Sequence, residues 1–259
     1  MDWFFADTMD EKFTITGEDA VHITKSLRMS VGEVITVCDS KKTEHLCMIE
    51  RISSDGVEVR VVSESECLNE PSIELTLFAA LTKGDKLETV IQKSVELGAS
   101  KIIPVLTDRC VSRPDEKSMK KKLERWNKIA LQAAQQSRRG EIPVVMPLQT
   151  LKEAAKNAGN TAVVCYELGG EPLGVHIEKH RDEISLFIGS EGGFEIHEID
   201  EILKNGGAAA TLGNRILRAE TAPIAALSVI MYLTDNLGSV NDIKRDDNGK
   251  AVNGGEWHF

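Results

Sequence analysis

Apolar positions along the chain change their period near residue 72. Before it they come in short alternating runs at 34–38, 45–52 and 57–62. Polar turns separate these runs, Asp39-Ser40-Lys41-Lys42 and Ser53-Ser54-Asp55-Gly56. Alternation of this kind, broken by turn residues, predicts short strands in a small β-rich domain. A helix at 18–27 is predicted ahead of them. There i, i+3 spacing would place His22, Lys25 and Arg28 on one face, although an exposed polar helix would look the same. Residues 63–71 read as a linker.

Beyond residue 72, strand-like and helix-like segments alternate. Strands are predicted at 73–81, 101–106 and 161–166, and helices at 85–97, 117–137 and 151–157. Two further apolar runs follow, at 186–188 and near 211–212, and an apolar helix closes the pattern at 222–237. Alternating β and α segments imply an α/β domain, with a parallel sheet covered on both faces. Residues 241–259 are polar and glycine-rich with little periodicity, and read as an irregular tail. The predicted organisation is therefore 1–70, 71–240 and 241–259.

The candidate chemistry lies in two glycine-bearing turns of this second region. Leu186 to Ile188 runs into Gly189-Ser190-Glu191-Gly192-Gly193, and Thr211-Leu212 runs into Gly213-Asn214-Arg215. Glycine adopts positive φ cheaply and lets a ligand approach main-chain groups. Two such turns side by side at the ends of parallel strands would form the crevice where open α/β sheets bind ligands. A tight strand-to-helix connection with no ligand is the plainer explanation of either turn alone. After the second turn, Arg215, Arg218, Glu220 and Thr221 fall within seven residues. Glu220 or Thr221 could simply cap the helix that follows, with Arg218 paired to an acid.

Composition narrows the classes. The chain has 259 residues and 41% hydrophobic content, enough for one large or two moderate cores. Neither a membrane-spanning apolar stretch nor a signal-peptide pattern is evident. Five scattered cysteines form no C-x-x-C pair, as expected of structural thiols in a reducing cytosol and of a protein without a metal site. The net charge of −10 argues against a general nucleic-acid coat. Residues 101–140 nevertheless hold eleven basic residues against four acidic ones. Arg109, Arg113, Arg138 and Arg139 are among them. This is either a local patch for RNA or a solvated helix face.

Ordered motifs then carry a resemblance over most of the chain, from Trp3 to about Leu237. They are His22-Ile23-Thr24-Lys25-Ser26-Leu27-Arg28 with Gly32, Lys93 to Gly98 with Ile102-Ile103-Pro104, Gln136-Ser137-Arg138 with Pro143, Gly189 to Gly193, and Leu212 to Ala222. In these the chain resembles the RsmE family, bacterial 16S ribosomal RNA uridine-N3 methyltransferases of the SPOUT superfamily. Ser190 departs from the pattern, standing where the family usually has proline. Serine keeps an N–H and is expected to loosen the turn.

The resemblance implies a fold, a cofactor and partners. The fold would be a PUA-like β-barrel followed by a SPOUT-type parallel sheet with a C-terminal trefoil knot. The cofactor would be S-adenosylmethionine (SAM). The partners would be 16S rRNA of the small ribosomal subunit and a second copy of the chain, in the cytoplasm. For the cofactor it points to Leu186, Ile188, Gly189, Glu191, Gly192, Gly193, Leu212, Gly213, Ile216, Leu217, Thr221 and Ala222. Glu191 would bind a ribose hydroxyl or structure its turn. Removing the uridine N3 proton spreads charge onto O2 and O4, which asks for a cation beside the base. Arg218 is the first candidate and Arg138 the second, the latter from a partner subunit. Glu220 would orient Arg218 or accept the proton. For RNA contact the candidates are His22, Lys25, Arg28, Arg109, Arg113 and Arg139. The alternatives are a related SPOUT enzyme acting on another RNA or atom, and an RNA-binding module without catalysis.

Overall fold

The computed structural model describes residues 2–7, 9–178 and 182–238. The predicted irregular tail at 241–259 lies outside the described residues.

Five strands form the N-terminal sheet: β1 (Trp3–Phe5), β2 (Lys12–Ile15), β3 (Val34–Cys38), β4 (Thr43–Ser53) and β5 (Gly56–Glu66). Their order is β1-β3-β4-β5-β2, with β1 parallel to β3 and the remaining neighbours antiparallel. Alternate residues point inward, so Ile35, Val37, Cys47, Ile49, Val57 and Val59 fill one small core with Phe4 and Ile23. β5 extends past the predicted strand: residues 63–66, expected as linker, pair with 43–46. Polar side chains hid this extension, because ladder hydrogen bonds are made by the backbone.

The predicted helix at 18–27 divides into α1 (Gly17–Val21) and a π-helical turn, His22–Ser26. Leu27 N donates to His22 O at 2.9 Å to close the wide turn. Ile23 is fully buried, while His22 and Lys25 stay exposed. Arg28 lies beyond the turn in the left-handed region, at φ 56°. The i, i+3 face expected for His22, Lys25 and Arg28 is therefore not that of a regular helix.

The second sheet is wholly parallel. Its strands are β6 (Glu74–Ala80), β7 (Lys101–Leu106), β8 (Val144–Val145), β9 (Gln149–Thr150), β10 (Ala162–Cys165), β11 (Glu171–Pro172), β12 (Glu183–Ile188) and β13 (Ala208–Thr211). The order is β11-β13-β10-β12-β6-β7-β8, and β9 also pairs with β7. Four α-helices connect them, α2 (Lys86–Glu96), α3 (Glu116–Ser137), α4 (Leu151–Ala158) and α5 (Ile196–Lys204), and α6 (Thr221–Leu233) follows the last strand. Side chains on β6 and β12 alternate between two cores. Leu75, Leu77, Leu186 and Ile188 pack with α2, α3 and α6, whereas Phe78 and Phe187 pack with α4 and α5. The two phenylalanine rings stack at 4.4 Å between centroids. Helices thus cover both faces, as the near-continuous apolar strands require.

One topological expectation is corrected. β12 and β13 are not neighbours, because β10 lies between them. The two glycine turns share the C-terminal edge of the sheet without touching side by side. β12 lies next to β6, and their chains leave in opposite directions, β6 towards α2 and β12 towards α5 on the other face. Such a divergence of chains at neighbouring strand ends is where open α/β sheets form a ligand crevice.

A buried ion pair joins the two sheets. Arg139, 3% exposed, donates to both carboxylate oxygens of Glu70, Nε to Oε1 at 3.0 Å and Nη2 to Oε2 at 2.6 Å. Its Nη1 donates to Val95 O and Ala99 O. Glu70 also accepts from the amides of Gly140 and Glu141. Burial opposes the Glu70 charge, but these donors, Arg139 foremost, outweigh it and hold the carboxyl below the ordinary glutamate range. From the first domain, Trp3 Nε1 donates to Arg139 O and Cys38 Sγ to Gly140 O.

Candidate active site at the ends of the parallel strands

The first loop follows β12. It closes as a turn in which Gly193 N donates to Ser190 O at 2.9 Å. Ser190 is buried, so the serine that was expected to loosen the loop is held within a hydrogen-bonded turn; its Oγ has no partner. Gly193 is favoured by its φ of +70°, a backbone region that residues with a Cβ rarely adopt; an added Cβ would also displace the exposed Glu167 carboxylate. The loop then enters α5 through a capping box between Glu195 and Glu198.

Arg109 holds this loop from the end of β7. Its Nε donates to Glu195 Oε1 at 2.8 Å and its Nη1 to Gly192 O at 2.7 Å. The same arginine hydrogen bond holds the Glu195 carboxyl below its ordinary range. Arg113 donates to Thr107 O and Asp108 O and so braces the segment after β7 that carries Arg109. Both had been expected at the RNA, and both carry local structural bonds.

Glu191 has a defined place. Its Oε1 accepts from Lys86 Nζ at 2.9 Å and from the Lys83 amide at 3.3 Å. Burial disfavours its charge, yet the Lys86 hydrogen bond and the backbone amides bring the carboxyl below the ordinary range.

The second loop spans Leu212 to Glu220, between β13 and α6. Gly213 sits at φ +99° with open space around it, where a ligand has access to the backbone. Leu212 packs against the main core, while Ile216 is 86% exposed. Leu186 is fully buried and Ile188 nearly so, within the core beneath the loops. Glu220 occupies the N-cap position of α6, but its side chain makes no capping hydrogen bond; Arg218 O accepts from the Thr221 and Ala222 amides. Arg218 is exposed and makes no side-chain hydrogen bond or ion pair among the described residues. Of the plainer explanation, in which Glu220 or Thr221 caps the helix and Arg218 pairs with an acid, the fold keeps Glu220 at the cap position, without a side-chain cap bond, and no acid paired to Arg218 among the described residues.

Sequence reasoning missed Lys86 and Glu167. Lys86 opens α2 directly after β6, the same strand–turn–helix grammar that drew attention to the other two loops. Glu167 follows β10, the strand whose position between the loops periodicity did not reveal.

The remaining candidates lie elsewhere. Arg138, at φ 57° beyond α3, lines a cavity of about 1190 Å³ between the two domains, together with His22, Ser26 and Lys128. Arg139, grouped with the RNA contacts by sequence, is the buried ion-pair arginine; its guanidinium has no path to a phosphate. Two more basic residues of the 101–140 window are paired, Arg125 with Glu88 and Lys128 with Glu18. Lys117, Lys120 and Lys121 remain exposed on α3. Among the described residues no group of His, Cys, Asp and Glu could hold a metal ion, and no helix is long and apolar enough to cross a membrane.

A knob of polar loops at the carboxyl edge of a parallel sheet, joined to a small β domain, defines a class, and the comparisons place the chain in it. Residues 69–231 match the RNA methyltransferase domain and residues 15–62 the RNA methyltransferase PUA domain, so the chain belongs to the RNA methyltransferase family. It is similar to Ribosomal RNA small subunit methyltransferase E of Bacillus subtilis, at 38% identity over 87% of this chain and 91% of that protein. The protein of the same name from Synechocystis is 33% identical over 86% of this chain and 74% of its own length. A crystal structure of Ribosomal RNA small subunit methyltransferase E from Neisseria gonorrhoeae, bound to S-adenosyl methionine, superposes with a TM-score of 0.82. It is 30% identical and covers 90% of this chain and 98% of that one.

Proposed function

We propose that the protein methylates N3 of a uridine in 16S rRNA of the small ribosomal subunit, using SAM. The observation that carries this is the loop crevice itself: glycine backbones at Gly193 and Gly213, two carboxylates, and an unpaired Arg218, in a chain 38% identical to a named small-subunit methyltransferase. The residues present fit the cofactor. Gly189, Gly192, Gly193 and Gly213 offer main-chain groups, and Leu212, Ile216 and Leu217 offer apolar surface. Thr221 and Ala222 open α6 beside them. Glu191 would hold a ribose hydroxyl, and the acidic groups would suit a cationic sulfonium.

SAM supplies an electrophilic methyl group. The chain's own residues do the rest. Arg218 neutralises the charge that develops on the uracil oxygens as N3 loses its proton. Glu220 accepts that proton. His22, Lys25 and Arg28 contact phosphates from the PUA-like domain, which would be a barrel, and Arg109 and Arg113 add to the RNA face. The target base must leave its stack to reach the crevice.

The finer fold belongs to the same proposal. β12 enters between β10 and β6 although both precede it in the chain, which suits a SPOUT trefoil knot over 186–217. α6 is apolar on every side and leaves Tyr232 66% exposed, close in sequence to exposed Val229 and Leu237. Such a surface suits a homodimer, in which Arg138 serves the partner's crevice. The enzyme works in the cytoplasm, where small subunits are.

The test is incubation of unmodified 30S subunits with protein and SAM, then nuclease digestion and mass spectrometry of the nucleosides. 3-Methyluridine is expected. A different methylated nucleoside would indicate a related enzyme, and tight RNA binding with no methylation a binding module.

A further inference from the structure

The two loops share a single cation. Lys86 Nζ lies 2.9 Å from Glu191 Oε1 and 3.8 Å from Glu220 Oε2. The first distance is a charge-assisted hydrogen bond, and the second is an ion pair beyond hydrogen-bond reach. Glu220 Oε2 is closed off from solvent and has no hydrogen-bond partner. A buried carboxylate oxygen without a donor is disfavoured, and among the described residues the cation in ion-pair reach that offsets it is Lys86. The ammonium carries three donors, so one lysine can serve both carboxylates. It is presented from a rigid element, since Leu87, Val90 and Ile91 anchor α2 in the main core.

We propose that Lys86 is a positioning residue: it holds the Glu220 carboxylate in place as acceptor of the uridine N3 proton, and ties it to the cofactor loop through Glu191. This rests on the function proposed above. In the balanced step the N3–H bond breaks and its proton goes to the carboxylate. The N3 electron pair takes the methyl group, and the carbon–sulfur bonding pair stays on sulfur. Among the described residues the charged side chain within ion-pair reach of Glu220 is Lys86 from α2, which also holds Glu191 of the first loop; Arg218 stands two residues back on the same loop as Glu220.

Two readouts test it, on the full chain with Lys86→Met, Lys86→Arg and Glu220→Gln. The first needs neither cofactor nor turnover: NMR titration of protein carrying carboxyl-13C glutamate, with Glu220 assigned from the signal lost in Glu220→Gln. Loss of the ammonium should move the Glu220 titration curve of Lys86→Met to higher pH than the parent's, and Lys86→Arg should restore it. The second is the kcat–pH profile. Its acidic limb should move up by the same amount in Lys86→Met, with Tm within about 2 °C of the parent because the pair is only half-buried. An unmoved midpoint and limb would overturn the proposal, as would a loss of kcat equal at all pH accompanied by a fall in Tm. If the parent protein makes no 3-methyluridine, the function fails by itself, and the NMR titration still judges Lys86.

Discussion

The domain junction and the loop crevice are built from the same residue types and treat them in opposite ways. At the junction, the Arg139 guanidinium spends its donors on Glu70, Val95 O and Ala99 O, and Glu70 accepts two further amides. In the crevice, Arg218 stands exposed, Glu220 Oε2 and Ser190 Oγ lack partners, and Lys86 is divided between two acids. Satisfied polar groups report on what holds the fold. The unsatisfied ones on the two loops fall where the cofactor and the base are proposed to bind.

The largest expected effect comes from the satisfied side. Arg139→Met leaves a buried, uncompensated Glu70 carboxylate, and removing one partner of such a pair costs about 3–5 kcal/mol. Denaturant unfolding should show that loss; a change under 1 kcal/mol would mean the junction contributes little. Next comes the unsatisfied side. Arg218→Ala should lower kcat by about 10²–10³-fold, the scale of losing one charge-stabilising donor. Tm and SAM affinity by calorimetry should hold. Lost SAM binding would move Arg218 from the base to the cofactor.

The pH dependence of stability sharpens the contrast further. Glu70 is lowered in the folded state relative to about 4.3 unfolded. Its contribution is therefore fully present above the unfolded value and is lost as pH falls through the lower folded value. Acid unfolding of the parent should steepen below about pH 4.3. Glu70→Gln, measured alongside, should lack that component, and parallel curves would refute the assignment.

The division between these regions was only partly legible in the sequence. Period-2 and period-3.6 patterns report local physics, and they gave the strands at 34–38 and 101–106 and the helices at 85–97 and 117–137 close to where they lie. Glycine turns at 189–193 and 213 were legible because positive φ constrains residue type directly. Pairing over distance was not. Arg138 and Arg139 are adjacent in a basic run, yet one lines the interdomain cavity and the other is buried against an acid 69 residues earlier. No local pattern separates them. The insertion of β12 between β10 and β6 was equally hidden, because strand order is set by which edges remain open during assembly. Lys86 was overlooked for a related reason: its partners, Glu191 and Glu220, are more than a hundred residues away.

The smallest expected effect is the most informative about why the two regions differ. A second ion pair links the domains: Lys128 Nζ to Glu18 Oε1, at 2.6 Å, the same length as Arg139 to Glu70. If distance set the energy, the two would be equal. Burial separates them. The Arg139–Glu70 side chains are 4% and 7% exposed, and those of Lys128 and Glu18 are 50% and 79% exposed. In water the Coulomb term is screened, and two long side chains must also be ordered, so an exposed pair contributes about 0–1 kcal/mol. Lys128→Ala should then change stability by less than about 1 kcal/mol, and a double-mutant cycle with Glu18→Ala should return a coupling near zero at 0.5 M salt. The matching cycle on Arg139 and Glu70 should return a coupling several-fold larger that salt barely alters. Equal couplings would break the comparison, because they would show that the domain junction is held by contact geometry and not by exclusion of water.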